Sequence, residues 1–166
     1  MAAGATYTPI ATTTLGSAQS SVTFSSISGS YTDLIIVLNV AVASGNPSIS
    51  CQFNGDTSTN YSYTRLTGNG TSAASARNSN ANYMYFISLG GATTTFETNA
   101  IGHINNYSNS TTYKTMLTRG NQPSGSTEAM VNLWRSTSAI TSLTIAAGGT
   151  NFSIGSTFTL YGIAAA

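Results

Sequence analysis

Short apolar segments, separated by Gly, Ser and Asn, recur along the whole chain. In the clearest one, Ile49, Cys51 and Phe53 alternate with polar residues before the turn signal Asn54-Gly55. A period of two residues is typical of a strand with one buried face. Residues 34–42 are apolar at both the odd and the even positions, except for one Asn. This pattern predicts a central strand that is covered on each side.

Further segments of the same kind predict an all-β chain. Candidate strands with β-branched or aromatic residues lie at 95–107, 114–119, 129–135, 142–147 and 156–163. We predict an antiparallel two-sheet β-sandwich of about nine or ten strands. It is expected to form one domain at 7–166, preceded by a flexible N-terminus at 1–6. The Gly/Ser/Ala/Asn-rich segment 67–81 is predicted to be a loop that is ordered only where it lies on a neighbouring molecule.

Charged side chains are scarce, at 5% of the 166 residues against roughly 25% in a typical soluble domain. Ser and Thr together number 52 and Asn 15, so hydroxyls and amides take the place of charges. A net charge of +1 is too small to neutralise a row of phosphates or to favour an anionic membrane surface. No apolar run approaches the roughly 20 residues of a membrane-spanning helix. We therefore expect no nucleic-acid partner and no membrane partner.

The first residues lack the basic and apolar regions of a signal peptide. Either the chain is not secreted by that route, or it leaves the cell in another way, for example by lysis. A single Cys also excludes an internal disulfide. Stability must then come from packing or from oligomerisation.

Few residues could hold a metal or act as a nucleophile. One His and one Cys are too few ligands for a zinc site within one chain. Cys51 alternates with apolar residues and is predicted to be a small core residue. His103 is expected to be a structural histidine, and a Cys51/His103 nucleophilic pair has little support. No cofactor and no metal site are predicted.

The four carboxylates are spread over almost a hundred residues. Asp33 begins a predicted strand and Asp56 belongs to a turn, so each has a local explanation. Glu97 and Glu128 have none, and they form the one pair to test for glycosidase-like chemistry. No further motif accompanies them. We therefore predict that the protein is not an enzyme and has no catalytic residues.

Nine Tyr residues admit two interpretations. Exposed Tyr beside Asn and Ser can stack on sugars and bind their hydroxyls. Alternatively, Tyr fills strands because it packs well on a half-buried pleated surface. The packing interpretation is favoured for any single Tyr, and Tyr61 and Tyr63 are the least certain.

Both ends of the chain carry a resemblance to a known group of proteins. The segments concerned are YTPIATTTL at 7–15, VTFSSI at 22–27, YTDL at 31–34 and GSTFTLYGI at 155–163. Together with Asn54-Gly55-Asp56, Tyr61 and the stretch INNY at 104–107, they resemble a family of small virion proteins of tailed bacteriophages. The resemblance covers nearly the whole chain. It implies a jelly-roll β-sandwich that acts as a capsid decoration protein or as the head of a tail fibre, commonly as a trimer.

Decoration is the function that we expect first, because strand-like sequence occupies 7–163 with no fibre shaft. A homotrimer on the outer surface of the phage head would then bind the major capsid protein and stabilise the capsid. Strands that are apolar on both faces could be covered by the second sheet and by a neighbouring protomer. The alternative is a tail-fibre or head-spike module that binds host-surface glycans. A polysaccharide-degrading enzyme is a third class, and it depends on Glu97 and Glu128 alone.

Overall fold

The computed structural model of the chain describes residues 6–88, 91–95, 97–123 and 125–164. Except for Thr6, the N-terminal segment predicted to be flexible lies outside these residues. The described chain is all-β and contains no helix. Its strands are β1 (Tyr7–Thr14), β2 (Ser21–Phe24), β3 (Asp33–Val40), β4 (Ile49–Phe53), β5 (Tyr61–Gly68), β6 (Ala73–Ala81), β7 (Met84–Ile87), β8 (Thr98–Asn105), β9 (Lys114–Gln122), β10 (Ser126–Trp134), β11 (Leu143–Ala147) and β12 (Thr157–Ile163).

The strands form two sheets in which every pair of neighbours is antiparallel. The large sheet has eight strands in the order β1-β12-β3-β8-β9-β10-β5-β6, and the small sheet has four in the order β2-β11-β4-β7. This confirms the predicted all-β sandwich. The count of twelve strands exceeds the nine or ten that we predicted, and β6 lies in a segment that we assigned to a loop.

Pairing in the two sheets is nested along the chain. β1 pairs with β12, β2 with β11, β3 with β8 and β4 with β7. Two local hairpins, β5–β6 and β9–β10, are added to this framework and extend the large sheet beyond β8. The small sheet has no matching strands, so the large sheet is twice as wide.

The core lies between the sheets, where alternate residues of each strand are buried. In β4 the predicted alternation is confirmed, since Ile49, Cys51 and Phe53 are buried. The ring of Phe53 contacts that of Trp134 edge to face, with centroids 5.6 Å apart. Aromatic pairs of this geometry add stability beyond the area that they bury.

After β4 the chain turns at Asn54-Gly55, where both residues have positive φ angles of 52° and 65°. The amide of Asp56 donates to the carbonyl of Phe53 at 2.9 Å and closes the turn. The predicted turn is confirmed. It does not form a hairpin, because β4 belongs to the small sheet and β5 to the large one.

Segment 67–81 is a strand-forming hairpin, so the prediction of a loop was wrong. The register between β5 and β6 runs without a break from Gly68↔Ala73 to Tyr63↔Asn78. At the tip, the side-chain oxygen of Asn69 accepts hydrogen bonds from the amides of Thr71 and Ser72. β6 is nevertheless exposed along almost its whole length. Hydrophobic alternation was absent because neither face of this strand is buried.

Two glycines of the large sheet lie close to side chains of β7. A Cβ atom added at Gly102 would lie 2.6 Å from Cε1 of Phe86 and 3.1 Å from Cγ2 of Ile36. At Gly120, the added atom would lie 2.7 Å from Cγ1 of Ile87. These positions have no room for a side chain.

Within the described ranges, there is no helix that combines the length and the apolar character needed to span a membrane.

We predict that Gly102→Ala lowers the free energy of unfolding by about 1–3 kcal/mol, because the added methyl overpacks the interior against the Phe86 ring. Chemical denaturation measures the change. Gly16→Ala is the matched control, since a Cβ there meets no atom within 4 Å. It should change the free energy of unfolding by less than about 1 kcal/mol. Equal effects of the two substitutions would contradict the packing described here.

Candidate functional site

One face of the large sheet packs on the small sheet, and the opposite face has no sheet over it in the described part of the chain. We call this opposite surface the open face. It consists of the outward residues of β1, β12, β3, β8, β9, β10 and β5. In β3, for example, Leu34 and Ile36 point into the core, whereas Ile35 and Val37 lie on the open face.

Strand register places apolar side chains next to each other across the open face. The first row crosses the sheet through the aligned residues Pro9, Tyr161, Ile35, His103, Leu117, Val131 and Thr64. The second row consists of Thr159, Val37, Ile101, Arg119, Ala129 and Leu66. Residues that are far apart in sequence therefore form one mostly apolar surface.

Several of these side chains are strongly exposed. The exposed fraction is 46% for Leu117, 52% for Val131 and 62% for Leu66. Residues around Ile35 and Leu117 line a shallow depression of about 520 Å³. At the β1 edge, the rings of Tyr7 and Tyr161 meet edge to face with centroids 6.4 Å apart. Contiguous apolar surface of this extent is typical of an interaction site.

Charge on the open face is low and largely paired. Nε2 of His103 lies 3.0 Å from Oδ2 of Asp33. Oδ1 of Asp33 also accepts a hydrogen bond from the amide of Asn106 at 2.7 Å. Arg119 lies in the second row, between Ile101 and Ala129. Depletion of charge is a property of the buried centres of protein interfaces.

The size of the open face suits an interface. Strands lie about 4.8 Å apart, and outward residues follow each other at about 6.7 Å along a strand. With seven strands and four outward residues on β8, the face spans roughly 900 Å². A standard protein interface buries about 800 Å² on each partner. The open face is therefore large enough for a stable contact.

The Cys51/His103 pair considered from the sequence does not meet. Cys51 lies buried between the sheets, and burial raises the pKa of its thiol. His103 lies on the open face of the large sheet and pairs with Asp33. The interior of the sandwich separates the two side chains. Cys51 is thus the core residue that the alternation predicted.

Glu97 and Glu128 lie on opposite sides of the large sheet. Glu97 accepts a hydrogen bond from Asn39, whose neighbours Leu38 and Val40 point into the core. Glu128 is buried on the inner side, where its Oε2 accepts from the amide of Ser88 at 2.9 Å. Because the sheet stands between them, the two carboxyl groups do not flank a common cleft.

Asp56 connects the turn after β4 to β10. Its carboxylate accepts hydrogen bonds from the Trp134 indole at 2.7 Å, from Asn60 at 3.0 Å and from the amide of Ser58 at 2.9 Å. Burial alone would raise the pKa of Asp56, but these donors outweigh burial and lower the pKa from 3.8 to about 2. Asp56 therefore has a structural role, and it connects more of the fold than the turn to which we assigned it from the sequence.

Tyr61 and Tyr63 have different surroundings although both point inward from β5. Tyr61 is completely buried, and its hydroxyl lies 3.1 Å from the amide of Phe53 and 3.0 Å from the carbonyl of Asp56. Burial raises the pKa of its phenol. Tyr63 is half-buried and contacts Tyr85, which in turn contacts Tyr83. Tyr61 therefore belongs to the core, and Tyr63 belongs to a partly exposed cluster of three tyrosines.

Two charged residues are buried, which the sequence did not indicate. Nζ of Lys114 donates to the carbonyls of Thr112 at 2.7 Å and Thr137 at 3.2 Å, and burial lowers its pKa. Lys114 is aligned with Trp134, and Glu128 with Gly120. Trp134 and Glu128 are six residues apart along β10, which corresponds to about 20 Å, so Lys114 and Glu128 do not pair.

No group of three or more His, Cys, Asp and Glu side chains that could hold a metal occurs among the described residues.

The open face is the feature that the sequence analysis located in part. Apolar residues at both parities of 34–42 indicated a second face that needed a cover. Leu117 and Leu66 gave no such signal, because each is one apolar residue on the outer side of its own strand. Val131 shares the outer side of β10 with Ala129 and Leu133, but the sequence did not distinguish that side from the buried one. Leu117, Val131 and Leu66 become contiguous only through the register of β9, β10 and β5.

Comparison with known proteins gave no match to a family model, to a curated protein or to a solved structure.

We predict that Asp56→Asn lowers the free energy of unfolding by about 1–2 kcal/mol at neutral pH, because it weakens charge-assisted hydrogen bonds. A carboxylate with a lowered pKa stabilises the fold above its unfolded pKa and loses this effect as the pH falls through the folded pKa. The difference between the variant and the natural protein should therefore shrink between pH 5 and about pH 2. Denaturation across this range measures it, and a constant difference would contradict the assigned role.

Proposed function

We propose that this protein is a phage virion structural protein that binds the outer surface of the capsid as a trimer and stabilises the head. The observation that carries the proposal is the open face. A broad, weakly charged, apolar sheet face is costly in a free monomer because it leaves apolar surface in water. Contact with another protein would remove that cost.

A threefold assembly would use the open face in a heterologous contact. In a closed ring of three, one surface of each protomer meets a different surface of the next. The open face would receive the neighbouring protomer, and the remaining surface of the trimer would meet the major capsid protein. Many trimers that each bridge several capsid subunits would then act together against internal pressure, since linked weak contacts reinforce each other.

Nested strand pairing supports the same proposal. The eight strands other than the two local hairpins pair first with last, second with second last, and so on inwards. They divide into the two four-stranded sets β1-β12-β3-β8 and β2-β11-β4-β7. This is the wrapping expected of a jelly roll, which is common in capsid proteins. Nested pairing of this kind therefore supports the proposal.

We expect the purified protein to have a mass of about 51 kDa in light scattering, three times the 17.1 kDa of one chain. Leu117→Lys places a charge in the middle of the open face and should lower the mass to that of a monomer without unfolding the protein, because Leu117 is 46% exposed. Thr23→Lys, at an exposed position of β2, is the matched control and should leave the mass unchanged.

The capsid contact has its own readout. Added protein should co-sediment with expanded, undecorated phage capsids and raise the temperature at which they break open. Leu117→Lys should lose this effect together with the trimer, whereas Thr23→Lys should keep it. A natural protein that stays monomeric and leaves capsid stability unchanged would overturn the proposal.

A second candidate function, binding of host-surface glycans, is favoured by the tyrosine cluster. Tyr63, Tyr83 and Tyr85 form two edge-to-face contacts with centroids 5.3 and 5.1 Å apart, and all three are partly exposed. Asn78 of β6 is aligned with Tyr63 and offers an amide beside the rings. Aromatic rings with nearby amides suit sugar recognition. Tyr61 has no part in it, because it is buried.

If glycans bind at this cluster, Tyr83→Ala should weaken binding on a glycan array by at least about tenfold, through loss of a stacking surface. Tyr113→Ala is the control, because Tyr113 is 55% exposed and lies outside the cluster. Equal binding by both variants, or no binding by the natural protein, would exclude a glycan site at these rings.

A further inference from the structure

β6 forms one edge of the large sheet and has no strand on its outer side within the described chain. It is nine residues long, and all of them except Ala81 are exposed. In an antiparallel pair, about half of the backbone amides and carbonyls of an edge strand point away from its partner. β6 therefore presents a row of unpaired backbone donors and acceptors to solvent.

The other three sheet edges are short or interrupted by a proline, whereas β6 is long and contains no proline. β2 and β7 have only four residues each. β1 contains Pro9, which has no amide proton, and its register shifts between Pro9 and Ala11. Short strands, prolines, bulges and charged side chains are the usual means of protecting an edge. β6 has Arg77 at its midpoint and a register shift between Asn78 and Ala81. β6 contains no proline, and its register with β5 is unbroken from Ala73 to Asn78.

The composition of β6 does not explain why it is a strand. Its sequence is AASARNSNA, and Ala and Asn are among the residues depleted in strands. No second sheet covers either face. The strand is held by its backbone bonds to β5, so an added strand on the other side would give β6 a second partner.

We propose that the free edge of β6 binds an extended segment of another protein, which adds a ninth strand to the large sheet and carries an acidic residue opposite Arg77. Strand addition of this kind gains affinity from backbone hydrogen bonds and specificity from the alternate side chains. The proposal does not depend on the trimer or on the phage assignment.

Charge determines the choice of partner. Arg77 is the one charged residue of β6 and lies at its midpoint. It is exposed, and no carboxylate of the described residues forms an ion pair with it. A full-length antiparallel pair between two copies of β6 would set Arg77 against Arg77, and like charges directly opposite are destabilising. A foreign segment with Asp or Glu at this position avoids that cost.

Side-chain size on β6 defines the rest of the partner. Ala74 and Ala76 lie on the face opposite to that of Arg77, because side chains alternate along a strand. Both are small and exposed, so they leave space for bulky residues on the added strand. The expected segment therefore alternates β-branched or aromatic residues on one face with polar residues, including the acid, on the other.

The test uses three labelled nine-residue peptides of alternating Thr and Val. The first has Glu at its centre on the Thr face, the second has Lys there, and the third has Pro at two central positions. Fluorescence anisotropy with the full-length protein should show that the Glu peptide binds about tenfold more tightly than the Lys peptide. The Pro peptide should not bind. Hydrogen exchange of β6 amides should slow by at least about tenfold when the Glu peptide is bound.

Two variants separate local pairing from general attraction. Arg77→Glu should reverse the preference, so that the Lys peptide binds more tightly. Thr23→Glu adds a negative charge at an exposed position of β2 in the small sheet and should leave the preference for the Glu peptide unchanged. Failure of all peptides to bind, an equal response to both variants, or β6 amides already protected by a second copy of the chain would each overturn the proposal.

Discussion

A sheet has two faces, and a partner sheet with half as many strands can cover only part of one of them. The large sheet has eight strands and the small sheet four, and this difference determines which surfaces of the large sheet are buried and which are exposed. The covered part of the inner face supplies the core, including the close approach of β7 to Gly102 and Gly120. The outer face and β6 remain without cover. The proposed trimer contact uses this outer face, and the proposed strand addition uses the free edge of β6.

Alternation made part of the framework predictable from sequence, because a strand such as β4 has one buried apolar face. It failed for β6, where neither face is buried and the backbone bonds to β5 alone define the strand. It also failed to separate Tyr61 from Tyr63. Both point to the same side of β5, and their burial differs because Tyr61 packs against Trp134 whereas Tyr63 reaches the edge of the small sheet. How far one sheet extends over another is a property of topology that local pattern does not contain.

The surface of the folded protein carries even fewer free charges than the composition suggests, because several charged residues are buried or hydrogen-bonded. Lys114 and Glu128 are buried, and Asp56 is engaged by Trp134, Asn60 and Ser58. The few remaining charges are spread over a surface rich in hydroxyls and amides. Contacts made by such a surface depend little on screening by salt, which reduces the attraction between exposed charges. Assembly through it would tolerate wide changes in ionic strength.

The nested pairing also has a kinetic consequence. Tyr7 of β1 aligns with Ile163 of β12, so β1 can pair only after β12 is available. Contacts between residues so distant in sequence carry a large loop-closure cost and slow the search for the native state. The β9–β10 hairpin closes over a far shorter separation, Gln122 to Ser126. It can form early and serve as a template, and the outermost pairs of the framework then close last.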